Sequence, residues 1–178
     1  MRIIAGSWRG RRLKTPGKAR GIRPTSDRLR EALFNILGAR IEDGPFIDLF
    51  AGTGAVGLEA ASRGAPAAVL VDRGRVAQGI CEANIELLGA DTVKLVRGSA
   101  QRPGSMPPAA VVFADPPYDM PPQQVLGWLL KVPVIEGGCW CLEIAADAAV
   151  PSIPSEIAVL LERVYGGSRL LIYERKTP

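Results

Sequence analysis

Two short segments hold residues whose types and spacing suit chemistry. The first runs Asp48-Leu49-Phe50-Ala51-Gly52-Thr53-Gly54-Ala55-Val56-Gly57. Gly52, Gly54 and Gly57 satisfy G-x-G-x-x-G, after a short apolar run and before a small-residue stretch that reads as a helix. Glycines there permit a tight turn and let a ligand approach bare backbone. The start of the helix adds N–H donors that have no partner within it. Asp72 stands 20 residues after Gly52, at the end of the next apolar run. A carboxylate there suits ribose hydroxyls. The spacing fits a dinucleotide and an adenosyl cofactor equally, and glycines kept only for turn geometry would read the same way.

Asp48 separates these readings. An acid four residues before Gly52 would repel a pyrophosphate lying on the loop. The same acid suits an α-amino group, directly or through water. S-adenosylmethionine carries an ammonium and a sulfonium, whereas NAD carries two phosphates, so the electrostatics favour the former. A buried structural acid is the competing account of Asp48.

The second segment is Asp115-Pro116-Pro117-Tyr118, after the apolar run 109–114. Two prolines lock φ and remove two N–H donors, and Pro116 restricts Asp115 as well. The expected result is a stiff turn at the end of a central strand. Its Asp115 carboxylate and Pro116 carbonyl can accept hydrogen bonds from an exocyclic amine, and Tyr118 can stack on the base bearing it. An amine attacking a sulfonium methyl needs its lone pair oriented more than it needs a strong base. A rigid loop with a core tyrosine is the plainer alternative.

The chain contains no histidine among its 178 residues, which excludes Ser-His-Asp and Cys-His chemistry. Three cysteines, Cys81, Cys139 and Cys141, argue against a disulfide framework and, without histidine, against a zinc site. No metal is therefore expected. No apolar run approaches the ~18 residues of a membrane span, and the N-terminus lacks an apolar signal core. These features predict a reduced cytoplasmic protein without a membrane partner.

The elements that must position the two segments follow from periodicity. Helices are expected over 23–40, 55–63, 74–88 and 121–130. Leu29, Leu33, Ile36 and Leu37 share one face of the first, which Thr25 or Ser26 can cap. Strands are expected over 45–50, 67–71, 92–96, 109–114, 138–145, 157–164 and 169–173. The last two flank Tyr165-Gly166-Gly167-Ser168, a hairpin signal. Alternating strands and helices that end in a hairpin predict an α/β doubly wound sheet, mostly parallel, with helices on both faces. Ligands bind such sheets beyond the carboxyl ends of the strands.

Charge is uneven. Residues 1–30 hold ten basic side chains and one acid, Asp27, whereas 31–178 hold twelve basic and seventeen acidic. A basic extension over 1–22 on a single domain over 23–178 is the footprint of a polyanion partner. Trp8, among these charges, can stack on a base or cap the core. The arm's phosphate contacts are expected to be separable from cofactor binding.

FIDLFAGTGAVGLEAASRGA followed by FADPPY resembles the Rossmann-like S-adenosylmethionine-dependent methyltransferases that modify nucleobase amines. RIIAGSWRGRRL and GIRPTSDRLREALFNIL resemble, more specifically, the RsmD-type enzymes that methylate guanine N2 in 16S ribosomal RNA. The resemblance is close over 2–118 and looser beyond. It implies a seven-stranded, mostly parallel Rossmann-like methyltransferase sheet with a C-terminal antiparallel hairpin. It implies that Asp48, Phe50, Ala51, Gly52 and Gly54 line the cofactor, with Asp72 at the ribose and Ser99 and Ala100 at the adenine. Ser99 departs from the acid or amide common among relatives there. Asp115, Pro116, Pro117 and Tyr118 would form the catalytic turn. Arg9, Arg11, Arg12, Arg23, Thr25 and Arg28 would meet RNA. The implied partner is 16S ribosomal RNA in a small-subunit assembly particle, acted on by a monomer.

Three other readings compete. An adenine-N6 DNA methyltransferase shares the Asp-Pro-Pro-Tyr turn, but no separate target-recognition domain is evident. An NAD-dependent oxidoreductase lacks a visible hydride relay. A non-catalytic RNA-binding module predicts a damaged glycine loop or a lost Asp-Pro-Pro-Tyr turn, and both segments are intact.

Overall fold

The computed structural model describes residues 1–16 and 27–176. Seven strands form one sheet in the order β3-β2-β1-β4-β5-β7-β6. They are β1 (Phe46–Asp48), β2 (Ala68–Asp72), β3 (Val93–Arg97), β4 (Ala109–Ala114), β5 (Val134–Ala145), β6 (Ile157–Tyr165) and β7 (Ser168–Arg175). β1 to β5 pair in parallel, and β7 runs antiparallel between β5 and β6. The helices are α1 (Asp27–Leu37), α2 (Ala55–Ser62), α3 (Arg75–Leu88) and α4 (Pro122–Leu129). None of the described helices is long and apolar enough to cross a membrane.

The period-two alternation of strands divides the core into two faces. Cys139 and Cys141 of β5, with Leu170 and Ile172 of β7, pack with α1, α2 and α3. Trp140 and Leu142, with Leu171 and Tyr173, pack with Val125, Leu126 and Leu129 of α4. Central β4 is buried along its whole length. That is why its sequence shows no polar alternation.

Expected and observed elements differ at informative points. The first helix, expected over 23–40, is described from Asp27, and residues 17–26, with Thr25 and Ser26, lie outside the described residues. It gives way at Gly38 to a 3-10 turn over Gly38–Glu42, because Gly38 adopts φ +54°. β5 begins four residues before the expected position 138. Gly138, the expected start, lies within an irregularity: Ala109 pairs with Val134 and Val111 with Cys139. A Cβ at Gly138 would sit 2.8 Å from the Ala109 carbonyl oxygen, so the close approach of β4 requires glycine there.

Candidate active site

The two chemistry-bearing segments meet at the carboxyl edge of the sheet. β1 lies between β2 and β4, and the strand order reverses there. In register, Asp48 is level with Leu70 of β2 and with Phe113 of β4. Asp72 and Asp115 each stand two residues beyond those partners. Three carboxyl groups from three adjacent strands thus converge at the crevice where such sheets bind ligands.

The glycine loop is held from within. Gly52 N–H donates to Asp72 Oδ2 at 2.8 Å, and Gly74 N–H donates to Asp72 Oδ1 at 2.8 Å. Gly54 N–H donates to the Ala51 carbonyl at 2.7 Å, and Ala51 N–H to the Val71 carbonyl at 3.0 Å. Gly54 has φ +80°, and a Cβ on it would meet Cys81 Sγ at 2.9 Å. A Cβ on Gly57 would meet Leu70 Cδ2 at 2.0 Å. Gly57 therefore serves helix-on-sheet packing. The Gly52 and Gly54 N–H groups, which a pyrophosphate would need, already have acceptors in the protein.

Asp48 is buried, and its carboxylate accepts Phe50 N–H at 3.1 Å. Burial pushes its pKa up to about 8; the Phe50 hydrogen bond opposes this, and the charges of Asp115 and Asp72 add to it. Burial likewise pushes the Cys81 thiol up to about 12, with Asp48 and Asp72 contributing. Such a site gains from a cation: a positive group among the three carboxyls would favour the charged form of Asp48.

Phe50 is half-buried at the loop and packs toward the α4 face. Ser99 Oγ accepts Gln101 N–H at 3.3 Å, and Ala100 is buried beside it. In the Asp115–Tyr118 turn Pro116 is buried while Pro117 and Tyr118 are exposed. Met120 N–H donates to the Pro117 carbonyl at 3.0 Å, which closes the turn. Tyr118 Oη and Ser168 Oγ share a hydrogen bond of 2.9 Å. Among the described residues no group of three or more His, Cys, Asp or Glu side chains could hold a metal ion.

The described part of the basic arm, residues 1–16, is docked on the body. Glu59, fully buried on α2, accepts Ile4 N–H at 2.7 Å and Ala5 N–H at 2.9 Å. Ser62 Oγ accepts Trp8 N–H at 3.0 Å and donates to the Ala5 carbonyl at 2.7 Å. Arg63 Nε pairs with Glu59 at 2.8 Å, and its guanidinium lies 4.9 Å from the Phe34 ring centroid. Asn84, fully buried on α3, accepts Lys14 N–H at 2.7 Å and donates to the Thr53 carbonyl at 2.9 Å. Asn84 thereby joins the arm to the glycine loop. Arm and glycine loop are therefore joined structurally: deleting the arm would strip Glu59 and Asn84 of their arm partners.

One further reading changes. Arg30, counted with the arm's charge, is fully buried, with Nη2 donating to Asp27 Oδ1 and to the Arg2 carbonyl, each at 2.8 Å. Burial pulls its pKa down, and Glu59, 3.9 Å from its Nε, opposes this. Trp8 is half-buried and packs against the core. Arg9 and Arg12 are exposed, as is Arg28 on α1. Arg11 Nη2 donates to the Leu87 carbonyl at 2.9 Å, near the end of α3. Arg23 and Thr25 lie outside the described residues.

Sequence reasoning passed over Glu59, Ser62, Asn84 and Ser168. A signal existed for two of them. Glu59 is the lone charge in AVGLEAAS, and Asn84 lies in the buried row Ala77, Cys81, Asn84, Leu88 at helical spacing.

Comparison with known proteins agrees with this geometry. The family described as Conserved hypothetical protein 95 matches residues 1–174. Ribosomal RNA small subunit methyltransferase D of Escherichia coli K12 is 34% identical over 99% of this chain and 90% of its own length. The YlbH protein of Bacillus subtilis 168 is 31% identical, covering 99% of this chain and 100% of its own. Among solved structures, the yhhF protein of Escherichia coli superposes with TM-score 0.86 at 32% identity, covering 99% of this chain and 98% of that one. A hypothetical protein of Thermus thermophilus superposes with TM-score 0.79 at 35% identity, covering 97% and 98%. The chain belongs to the Conserved hypothetical protein 95 family, that of the RsmD-type methyltransferases.

Proposed function

We infer that this chain is an S-adenosylmethionine-dependent methyltransferase acting on the exocyclic N2 amine of a guanine in 16S ribosomal RNA. The observation that carries the cofactor half is the internal satisfaction of the glycine loop beside three converging carboxyl groups. That arrangement disfavours a pyrophosphate and suits a cationic ligand. The RNA half rests on full-length relatives named as small-subunit ribosomal RNA methyltransferases.

S-adenosylmethionine, when bound, supplies an electrophilic methyl group on sulfur. Asp48 would balance the methionine ammonium, Asp72 would meet the ribose, and the Ser99–Ala100 segment would flank the adenine. Asp115 and the Pro116 carbonyl would accept the N–H bonds of the guanine amine and turn its lone pair. Tyr118, its ring exposed, would stack on the base. Asp115 would position the amine rather than deprotonate it, because turning the lone pair toward the methyl group is the main task. Arg9, Arg12 and Arg28 would meet phosphates, with Arg23 and Thr25 on the neighbouring segment. We take the substrate to be a small-subunit assembly particle in the cytoplasm, the enzyme to be a monomer, and residues 1–22 to be an extension of one methyltransferase domain.

The test is mass analysis of nucleosides from 16S ribosomal RNA and from DNA of a strain lacking this gene, before and after the protein is added back. A guanine-N2 methyl group absent and then restored is the expected result. A methyl group restored to adenine N6 of DNA would give the reading to the DNA enzymes. Melting with S-adenosylhomocysteine or NAD checks the cofactor separately; stabilisation by NAD alone would overturn it.

A further inference from the structure

The segment 165–168 reads in the sequence only as a hairpin turn, yet the fold brings it to the chemistry. β7 is antiparallel to β5, so its first residue, not its last, lies at the carboxyl edge of the parallel strands. Ala114 of β4 is level with Leu142 of β5, and Ser168 pairs with Ala145 three residues further on. Counting the same three residues along β4 from Ala114 arrives at Pro117, next to Tyr118. There Ser168 Oγ and Tyr118 Oη lie 2.9 Å apart.

The two partners differ in a useful way. Ser168 is buried, at 8% exposure, whereas Tyr118 is 42% exposed. The hydroxyl end of Tyr118 is therefore anchored while the ring keeps surface open. The anchor is itself braced. Ala146 N–H donates to the Gly167 carbonyl at 3.0 Å, and Arg169 Nη2 donates to the Ala146 carbonyl at 2.7 Å. Arg169 also pairs with Glu162 across the hairpin at 3.1 Å.

We propose that Ser168 is a positioning residue that fixes the plane of the Tyr118 ring, so that the C-terminal hairpin sets the geometry of the base at the catalytic turn. This rests on the methyl-transfer reading for its consequence, though not for the contact. A tyrosine held at one end loses less freedom when a base stacks on it, and near-attack geometry tolerates little misplacement.

Single-turnover methyl transfer to small-subunit particles tests the consequence. Ser168→Ala should slow the step roughly 3- to 10-fold, the scale of one hydrogen bond, with S-adenosylhomocysteine affinity unchanged. Ser168→Thr, which keeps a hydroxyl, should recover most of the rate. Tyr118→Phe removes the same bond from the exposed side, so it serves if Ser168→Ala fails to fold. It should match Ser168→Ala, and the double variant should be no slower than either. Wild-type rate in Ser168→Ala, or multiplying losses in the double variant, overturns the proposal. Fluorine NMR of protein carrying 3-fluorotyrosine reads the contact without any substrate, since the chain has three tyrosines. Ser168→Ala should shift or broaden the Tyr118 resonance and Ser168→Thr restore it; an unmoved resonance overturns the proposal. If wild-type protein methylates no ribosomal RNA, the functional reading falls, while the fluorine result still decides whether Ser168 holds Tyr118.

Discussion

The glycine loop and the docked arm are held by opposite means. The loop is fixed by backbone N–H groups and by carboxyl groups at the ends of β1 and β2, within about one turn of chain and its neighbour strand. The arm is fixed by side chains from α2 and α3, 54 to 70 residues away in sequence. The loop gathers its charge as three acids converging on a crevice suited to a cation. Beneath the arm the body pairs Glu59 with Arg30 and Arg63, while the arm's own Arg9 and Arg12 stay exposed. Residues within the arm's dock should therefore govern stability, those at the loop and turn should govern chemistry, and the outer arginines should govern only RNA affinity.

The largest effect is expected at the dock. Glu59→Ala removes the acceptor of two arm N–H groups and takes a carboxylate away from buried Arg30. Breaking a buried pair this way costs about 3–5 kcal/mol, which lowers the melting temperature by roughly 6–20 °C at this chain length. An unchanged melt would mean that the arm is not an integral part of the fold.

Next comes Asp115→Ala. It should lower single-turnover methyl transfer by roughly 10²–10³-fold, the scale of losing one preorganised electrostatic group. Cofactor affinity and melting temperature should hold. Full activity would mean that the turn's chemistry lies with another group.

Asp48→Asn sharpens the comparison, because it should raise stability while weakening binding. An unfolded aspartate titrates near ~3.9, whereas Asp48 in the fold is pushed up to about 8. Between these values the folded state keeps a proton that the unfolded chain has released. Its contribution to stability therefore declines as pH rises through that window and levels off above about 8. The Asp48→Asn substitution removes this decline, and each ~1 kcal/mol recovered raises the melting temperature by roughly 2–4 °C. A bound cation should expel the proton, so S-adenosylmethionine affinity in the native protein should strengthen as pH approaches 8. Calorimetry in buffers of different ionisation enthalpy reads that proton; its absence in the native protein would mean that Asp48 does not face the cation.

The smallest effect is expected from Arg9→Glu with Arg12→Glu. Stability should stay within about 0.5 kcal/mol. The slope of log affinity against log salt for RNA should flatten by roughly 0.7–0.9 per lost phosphate contact. Arg11 is left out because it hydrogen-bonds the Leu87 carbonyl. An unaltered slope would move the electrostatic anchor elsewhere on the molecule.

Much of this was legible along the chain because it depends on local rules. Alternating apolar runs and helical stripes announced seven strands and their helices, and β4 falls on residues 109–114 as expected. Gly52, Gly54 and Gly57 announced a turn because positive φ and close packing exclude side chains, and Pro116-Pro117 announced a stiff one. What only the tertiary structure decided involves partners far apart in sequence. Arg30 reads as surface charge until Glu59 buries it, and Lys14 reads as arm until Asn84 ties it to Thr53. Gly57 reads only as the third glycine of the spacing until Leu70 shows what it makes room for. Ser168 reads as a turn residue until antiparallel pairing carries it to Tyr118. Local propensity depends on a residue and its near neighbours, whereas burial and hydrogen-bond satisfaction depend on which distant groups arrive at the same place.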